Sequence, residues 1–260
     1  MKTLSLTRVG KSFGRSPVVV GVDFEVDAGE FFGLVGPSGC GKTTVLNMVA
    51  GLTHPSEGTV SVGGQAVVGP GPDRGVVFQD FALLPWLSVE DNIAFGLSLQ
   101  GLSSEDVRSR TAAHVAMVGL NGWEKSRPAQ LSGGMKQRVA IARALANDPA
   151  VLLMDEPFGS VDALTREVLE RELLRIWKEA GCTVLFITHS IDEAILLSDR
   201  VGVMSGRPGS SVEVVDINLP RPRNRNSLAT AEAGALRDRL LHLVGVSEAD
   251  TVSDEAVSSQ

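Results

Sequence analysis

A glycine-rich segment near the start of the chain has the residue types and spacing of a phosphate-binding loop. It follows the pattern G-x-x-x-x-G-K-S/T and consists of Gly36, Pro37, Ser38, Gly39, Cys40, Gly41, Lys42, Thr43 and Thr44. In such a loop backbone N–H groups surround phosphate oxygens, the lysine neutralises their charge, and the next hydroxyl joins a Mg²⁺ shell. The apolar run 31–35 and the helical spacing of 45–51 supply the strand and helix that the motif requires. The segment therefore predicts a site for a nucleoside triphosphate with Mg²⁺.

Other apolar runs end in polar side chains that are suited to phosphate chemistry. Gln79, the adjacent acids Asp155 and Glu156, and His189 each lie at or just after the end of such a run. Because a ligand of an open α/β sheet lies at the carboxyl ends of the strands, we expect these side chains to converge on the phosphate loop. We predict that Thr43, Gln79 and Asp155 contact Mg²⁺ and that Glu156 polarises an attacking water. This convergence predicts hydrolysis of ATP.

Two candidate residues have more than one interpretation on position alone. His189 can bond the γ-phosphate, the water or Glu156, or it can be satisfied by backbone at a strand end. Phe13, which lies in a predicted loop before the phosphate loop, can stack on an adenine ring or close the core. Position alone leaves both alternatives open for each residue.

A second anion-binding pattern lies near the middle of the chain. It consists of Leu131, Ser132, Gly133, Gly134, Met135, Lys136 and Gln137, and a good helix is predicted at 138–145. Ser132 is suited to cap that helix, and paired glycines let backbone N–H groups approach an anion at its start. One nucleotide cannot easily use both patterns of one chain if the second stands apart from the sheet. We therefore predict that the second pattern serves a nucleotide held by a second copy of the chain.

Residue patterning predicts an α/β fold with antiparallel strands before the phosphate loop and a helical insertion after it. Polar and apolar residues alternate over 1–30, which is typical of antiparallel strands. The continuous apolar runs at 150–154 and 183–187 are typical of a parallel sheet that is covered on both faces. Further strands are predicted at 58–64 and 75–79, and an amphipathic helix is predicted at 164–180.

The same patterns divide the chain into one nucleotide-binding domain, 1–218, and a C-terminal segment. The predicted core of the domain is 1–79 and 148–218, and the helical insertion is 80–147. Residues 219–260 are predicted to form a helix followed by an acidic tail that we expect to be disordered.

Composition limits the classes of partner and compartment. The chain has 260 residues, a formal charge of −7 and a pI near 5.2, which argues against a nucleic-acid-binding face as its main feature. The longest uncharged stretch, 58–72, is too short to span a bilayer, and no leader pattern begins at residue 1, so we expect a cytosolic chain. Cys40 and Cys182 have no Cys or His partner at ligand spacing, so we expect reduced thiols and no metal site there.

Together the motifs resemble those of the ATP-binding subunits of ABC transporters, over roughly residues 1–220. The run from Leu131 to Gln137 is similar to the signature motif of that superfamily. It occurs here together with a phosphate loop, the run 151–157 and Thr188-His189. The resemblance implies the ABC ATPase fold, which has a P-loop NTPase core of mostly parallel strands, an N-terminal antiparallel β region and a helical insertion.

The resemblance also implies roles for single residues. Phe13 resembles the adenine-stacking aromatic, Gln79 the Q-loop glutamine, Glu156 the catalytic glutamate and His189 the switch histidine. The D-loop reads Ser-Val-Asp instead of the usual Ala-Leu-Asp, and its Asp162 keeps the functional carboxylate. The implied cofactors are ATP and Mg²⁺, bound in a dimer of two copies that face each other head to tail.

Residues 82–96 and 219–225 resemble the importer branch for nitrate, alkanesulfonates, taurine and similar small solutes. This resemblance implies integral membrane permease subunits that hold the ATPase at the cytoplasmic face of the membrane, and indirectly a solute-binding protein. The apolar run 83–87 just after Gln79 predicts a groove for a short helix of the permease. The alternative is that Trp86 closes the small core of the insertion.

Other functions are less compatible with the sequence. ABC-type ATPases of nucleic-acid maintenance carry long coiled coils or zinc modules, but only about ninety residues separate Lys42 from Leu131 here. A GTPase switch would need Asn-Lys-x-Asp, and no Asn in the chain is followed by Lys. A non-catalytic regulatory member would not need Lys42, Asp155, Glu156 and His189 together. The separate ATPase subunit of an exporter is the alternative within the superfamily.

Overall fold

The computed structural model describes residues 1–159, 161–205 and 211–245. Ser160 of the predicted D-loop and the predicted acidic tail after 245 lie outside the described residues. The strands are β1 Leu4–Phe13, β2 Ser16–Val26, β3 Phe31–Val35, β4 Glu57–Val62, β5 Gln65–Ala66, β6 Arg74–Val77, β7 Val151–Asp155, β8 Thr183–Ile187, β9 Arg200–Ser205 and β10 Ser211–Asp216. The helices are α1 Lys42–Ala50, α2 Val89–Ser98, α3 Ser104–Met117, α4 Gly133–Leu145, α5 Ala163–Ala180, α6 Ile191–Leu197, α7 Arg225–Leu228 and α8 Ala231–Val244, with a 3₁₀ turn at Pro128–Gln130.

The larger sheet has the strand order β10-β9-β3-β8-β7-β6. Strands β6, β7, β8, β3 and β9 run parallel, and β10 pairs antiparallel with β9. Every residue of β3, β7 and β8 is buried, as expected for strands with both faces covered. The predicted mostly parallel sheet is confirmed, and its carboxyl-terminal edge leads into the phosphate loop.

The smaller sheet is antiparallel and has the order β2-β1-β4-β5, which confirms the prediction for the N-terminal region. It packs against the larger sheet through a shared apolar cluster. Within that cluster the rings of Phe24 on β2 and Phe32 on β3 stack at a centroid distance of 5.2 Å. The two sheets therefore hold the phosphate loop between them.

Helices α2, α3 and α4 follow β6, in the region where helical periods predominate in the sequence. Each begins at a serine whose hydroxyl accepts a backbone N–H three residues later: Ser88, Ser103 and Ser132. Buried residues of these helices, including Ile93, Val115 and Val139, belong to the same apolar cluster as β7 and β8. The insertion is thus packed on the sheet that carries the strand ends.

The C-terminal part contains three elements that the sequence analysis did not assign, namely α6, β9 and β10. The chain after them returns to the core through Arg223, which is 5% exposed. Its guanidinium donates to the carbonyl oxygens of Leu219, Ile195, Ser198 and Ile217. Leu240 of α8 is fully buried in the same cluster, so the segment after residue 218 packs on the domain.

No helix among the described residues is both long enough and apolar enough to cross a membrane.

A buried carboxyl group between α5 and α6 makes the stability of the fold depend on pH. Glu170 is 4% exposed, and its Oε1 has no hydrogen-bond partner. Burial, and to a lesser degree the charge of Glu193, raises the pKa of Glu170 to about 7. The pKa of Glu170 is thus higher in the folded state than in the unfolded state. The stability that this carboxyl group contributes is fully present below its unfolded pKa and is lost as the pH rises through about 7.

We therefore expect Glu170→Gln to raise the free energy of unfolding, relative to the unmodified chain, more at pH 8 than at pH 5. The reason is that the neutral amide removes the cost of ionising a buried carboxyl group. The measurement is urea unfolding of both proteins across this range. Glu179→Gln, at an exposed position on the same helix, is the matched control and should show no such trend. A pH-independent difference between Glu170→Gln and the unmodified chain would contradict the expectation.

Candidate functional site

The phosphate loop joins β3 to α1 and is shaped by a glycine that no other residue could replace without strain. Gly41 has a φ of 102°, and a Cβ at this position would lie 2.8 Å from Cγ2 of Val19. Lys42 is 7% exposed, and its Nζ donates to the carbonyl oxygens of Gly36 at 2.7 Å and Pro37 at 3.1 Å. The ammonium group therefore lies within the loop, beside the first N–H groups of α1.

The other loop residues differ in accessibility. Ser38, Gly39 and Thr43 are exposed and Thr44 is half-buried, which leaves them accessible to a ligand. Cys40 is fully buried, with its Sγ 3.9 Å from Lys42 Nζ. Only the backbone of Cys40 can therefore approach a phosphate.

Thr43 and Asp155 bring two oxygen donors together at the base of the loop. The Thr43 hydroxyl donates to Asp155 Oδ1 at 3.3 Å across the space between α1 and β7. Burial raises the pKa of Asp155, while the bond from Thr43 and the charge of Lys42 oppose that shift. Hydroxyl and carboxylate oxygens suit Mg²⁺, which keeps several waters and phosphate oxygens as its other ligands. The described residues contain no cluster of three or more His, Cys, Asp or Glu residues that could hold a metal ion without water or phosphate ligands.

Glu156 follows directly and has a strained backbone. Its φ is 44°, in the left-handed region that costs a residue other than glycine about 1 kcal/mol or more. Two hydrogen bonds hold it there: its N–H donates to the carbonyl oxygen of Ile187 at 2.9 Å, and its own carbonyl accepts from Gly159 N–H at 3.0 Å. The side chain of Glu156 is one-quarter exposed.

Side chains from three strand ends meet at Glu156. His189 Nδ1 lies 3.1 Å from Glu156 Oε2, and the imidazole is 62% exposed. Gln79 is also close, because a Cβ added to Gly159 would lie 3.6 Å from Gln79 Nε2 and 3.9 Å from Glu156 Oε2. The structure thus brings together Gln79, Glu156 and His189. Among the contacts that the sequence allowed for His189, the structure contains the one with Glu156.

The second anion-binding pattern is divided between the surface and the core. Ser132 and Gly133 are exposed, and no atom lies within 4 Å of a Cβ built on Gly133. Gly134 is buried against α5, where a Cβ would lie 3.0 Å from Thr165. Leu131 and Gln137 are buried as well, with Gln137 fully inaccessible. The side chains of Leu131 and Gln137 thus face the packed side of the segment, and their contact with a nucleotide stays a prediction.

Two more predicted site residues are exposed. Phe13 ends β1 and is 56% exposed, so it does not close the core, and Lys11 Nζ lies 5.1 Å from its ring centroid. Asp162 caps α5 by accepting the N–H of Thr165 at 3.0 Å, and this bond lowers its pKa. Both side chains are thus available to a ligand or to a second chain.

Arg143 on α4 was missed by the sequence analysis. Its guanidinium donates to the carbonyl oxygens of Ala82 at 2.6 Å and Phe81 at 3.0 Å, just after Gln79. Phe81 and Ala82 both have positive φ, 63° and 46°. Arg143 therefore fastens a strained turn to the helix that begins at Ser132, and no local pattern in the sequence indicates a contact over 61 residues.

The comparisons with known proteins agree with this geometry. The family model for ABC transporter matches residues 19–159. The uncharacterized ABC transporter ATP-binding protein MJ0412 of Methanocaldococcus jannaschii is 49% identical over 94% of this chain and 91% of its own length. The aliphatic sulfonates import ATP-binding protein SsuB of Bacillus thuringiensis subsp. konkukian is 46% identical, over 86% of this chain and 90% of its own.

A further relative and a solved structure extend the comparison. The bicarbonate transport ATP-binding protein CmpC of Synechococcus elongatus is 50% identical over 79% of this chain, which covers 31% of CmpC. The dimeric structure of MJ0796, a bacterial ABC transporter cassette, matches with a TM-score of 0.72 and 32% sequence identity. The match covers 83% of this chain and 99% of the MJ0796 chain. The family match, the fold and the site lead to one conclusion: the chain belongs to the ATP-binding proteins of ABC transporters, which hydrolyse ATP to drive transport.

Proposed function

We propose that the chain is the energy-coupling ATPase of an importer for a small solute of the nitrate, sulfonate or taurine type. The observation that carries the ATPase mechanism is the meeting of Gln79, Glu156 and His189 beside the phosphate loop. The import direction is supported by SsuB, whose name gives import of aliphatic sulfonates, and the small-solute class is supported by SsuB and by CmpC, whose name gives bicarbonate transport. In this proposal the protein works at the cytoplasmic face of the membrane, bound to permease subunits.

The nucleotide is held from two sides. Lys42 and the backbone N–H groups of the loop bind the β- and γ-phosphates, while the exposed ring of Phe13 stacks on the adenine. Thr43, Asp155 and Gln79 hold Mg²⁺, which supplies positive charge to the phosphate oxygens. Loop, ring and metal ligands together place the γ-phosphate next to Glu156.

Glu156 is the general base of the proposed mechanism. Its carboxylate accepts a proton from the water that attacks the γ-phosphate, and His189 Nδ1 holds this carboxylate at 3.1 Å. Gln79, whose Nε2 would lie 3.6 Å from a Cβ at Gly159, would orient the water or the metal ligands. The strained backbone of Glu156 keeps the carboxylate at this position before ATP binds.

A second copy of the chain completes the site. Ser132 and Gly133 are exposed at the N-terminus of α4, a position that favours an anion. In the proposed head-to-tail dimer they close over the γ-phosphate held by Lys42 of the other copy, with Asp162 at the same interface. The dimeric structures of MJ0796, one of them described as a post-hydrolysis state bound to ADP and Pi, support this arrangement.

We expect Lys42→Ala to lower ATP hydrolysis by about 100-fold or more, because a charge-assisted contact worth ~3 kcal/mol is removed. Steady-state phosphate release and nucleotide binding measure the effect. Lys178→Ala, which removes an exposed lysine of α5, is the control and should leave both unchanged. Near-normal turnover by Lys42→Ala would exclude the assigned role of the loop.

The dimer is tested with Glu156→Gln, which keeps the shape of the side chain but weakens the activation of water. We expect this variant to dimerise with ATP and Mg²⁺ and to be monomeric with ADP, as measured by size-exclusion chromatography with light scattering. Adding Ser132→Arg should prevent the dimer, whereas Ser109→Arg, at an exposed serine of α3, should not.

The dimer proposal fails if Glu156→Gln binds ATP but stays monomeric under all these conditions. If the dimer forms and Ser132→Arg does not affect it, the interface lies elsewhere on the chain.

A groove beside the strained turn supports a docking site for the permease. It has a volume of about 360 Å³, and Ala82, Leu84, Phe95 and Arg143 are among the residues that line it. Phe95 is 47% exposed and the nearby Trp86 of the apolar run is 68% exposed. Trp86 therefore does not close the core of the insertion, and we propose that the groove and Trp86 bind a short permease helix.

We expect Trp86→Glu and Phe95→Glu to retain ATPase activity in solution but to lose assembly with the permease, because a charge replaces exposed apolar surface. Affinity purification of the complex from membranes measures assembly. Val68→Glu, which changes an apolar side chain that is 83% exposed elsewhere, is the matched control. Unchanged assembly of both groove variants would refute the docking proposal.

A further inference from the structure

A short series of buried and partly buried polar contacts connects two loops of the site. Arg166 on α5 donates to the carbonyl oxygen of Val161 at 3.0 Å, one residue before Asp162. The same guanidinium lies 3.4 Å from Glu193 Oε1 on α6. The other oxygen of Glu193 accepts the hydroxyl of Thr188 at 2.6 Å. Thr188 directly precedes His189, so the series runs from the loop of Asp162 to the residue that contacts Glu156.

Burial makes these contacts strong enough to position a side chain. Glu193 is 6% exposed and Thr188 is 2% exposed, so water does not compete for their bond. Burial raises the pKa of Glu193, and the Thr188 hydroxyl and the Arg166 charge oppose that shift by stabilising the carboxylate. His189 is the residue of this turn whose side chain points out to solvent.

The contacts of Glu193 are not those of an ordinary helix cap. Ser190 caps α6, since its hydroxyl accepts the N–H of Glu193 at 3.3 Å. In a capping box the carboxylate of Glu193 would accept the N–H of Ser190 in return. Here the N–H of Ser190 donates instead to the hydroxyl of Thr188 at 3.0 Å. The carboxylate is thereby left to Thr188 and Arg166, and the orientation of the turn before α6 depends on it.

We propose that Glu193, held by Arg166, is a positioning residue that keeps His189 against Glu156 and links it to the loop of Asp162. Movement of the Asp162 loop, which in the dimer faces the second copy, is transmitted to His189 through these two side chains. The inference rests on the roles assigned to His189 and Glu156 under the proposed function. Its first test is therefore independent of turnover.

The first experiment records the ring-nitrogen resonances of histidine-labelled protein by NMR. The chain has four histidines, so His189 is identified by the resonance that disappears in His189→Gln. We expect Thr188→Val and Glu193→Gln to shift the His189 resonance. Thr188→Ser, which keeps the hydroxyl, should leave it in place, and so should Glu179→Gln, at an exposed carboxylate of α5.

The second experiment separates positioning from a general loss of structure. We expect Glu193→Gln to lower kcat about tenfold with an unchanged KM for ATP, because nucleotide binding does not use Glu193. In a His189→Ala background the same substitution should lower kcat less than about twofold, since it acts through a side chain that is already absent.

The inference is overturned if the His189 resonance is unmoved in both Thr188→Val and Glu193→Gln. It is also overturned if Glu193→Gln has its full effect on kcat without His189. If His189→Ala keeps the full kcat, the catalytic role of His189 in the proposed function fails, and the NMR comparison still decides whether Glu193 positions the ring.

Discussion

The parallel register of β3, β8 and β7 is the constraint on which the site depends. Ile187 at the end of β8 pairs with Leu34 of β3 on one side and with Asp155 of β7 on the other. The three strands therefore end at the same level, and whatever follows them is brought together. Since both faces of all three strands are buried, a shift of one residue would force the side chains on both faces to repack and would move the phosphate loop relative to the two acids.

Electrostatics at this edge favour a nucleotide that arrives with its metal. Asp155 and Glu156 are adjacent carboxyl groups, and the charge of Glu156 adds to burial in raising the pKa of Asp155, while the Thr43 bond and Lys42 act against it. A bare triphosphate would add further negative charge beside two acids and one lysine. Under the proposed function, a divalent cation between the phosphates and Asp155 would offset that repulsion and would give the acids a role in binding as well as in hydrolysis.

The sequence was most informative where a local pattern determines the structure. The glycine spacing around Lys42 and the apolar runs of β7 and β8 predicted the loop, the parallel sheet and the strand-end residues. The burial of Gln137 was not indicated by the sequence, because packing decides which face of α4 is buried. Arg143 was missed, and so was the contact of Glu193 with Arg166, since these partners lie in other segments and only the fold brings them near. The hairpin of β9 and β10 was missed too, because Gly202 and flanking polar residues interrupt its apolar pattern.

The backbone of Glu156 shows that this fold is not optimised for stability at its centre. A glycine would adopt a φ of 44° without the steric penalty of a Cβ, and would be less strained there by about 1 kcal/mol. The chain nevertheless has a long acidic side chain at this position, held by bonds to Ile187 and Gly159. Glycine would relieve this strain but would also remove the carboxylate, so the residue that best fits the backbone at position 156 is one that could not serve the site.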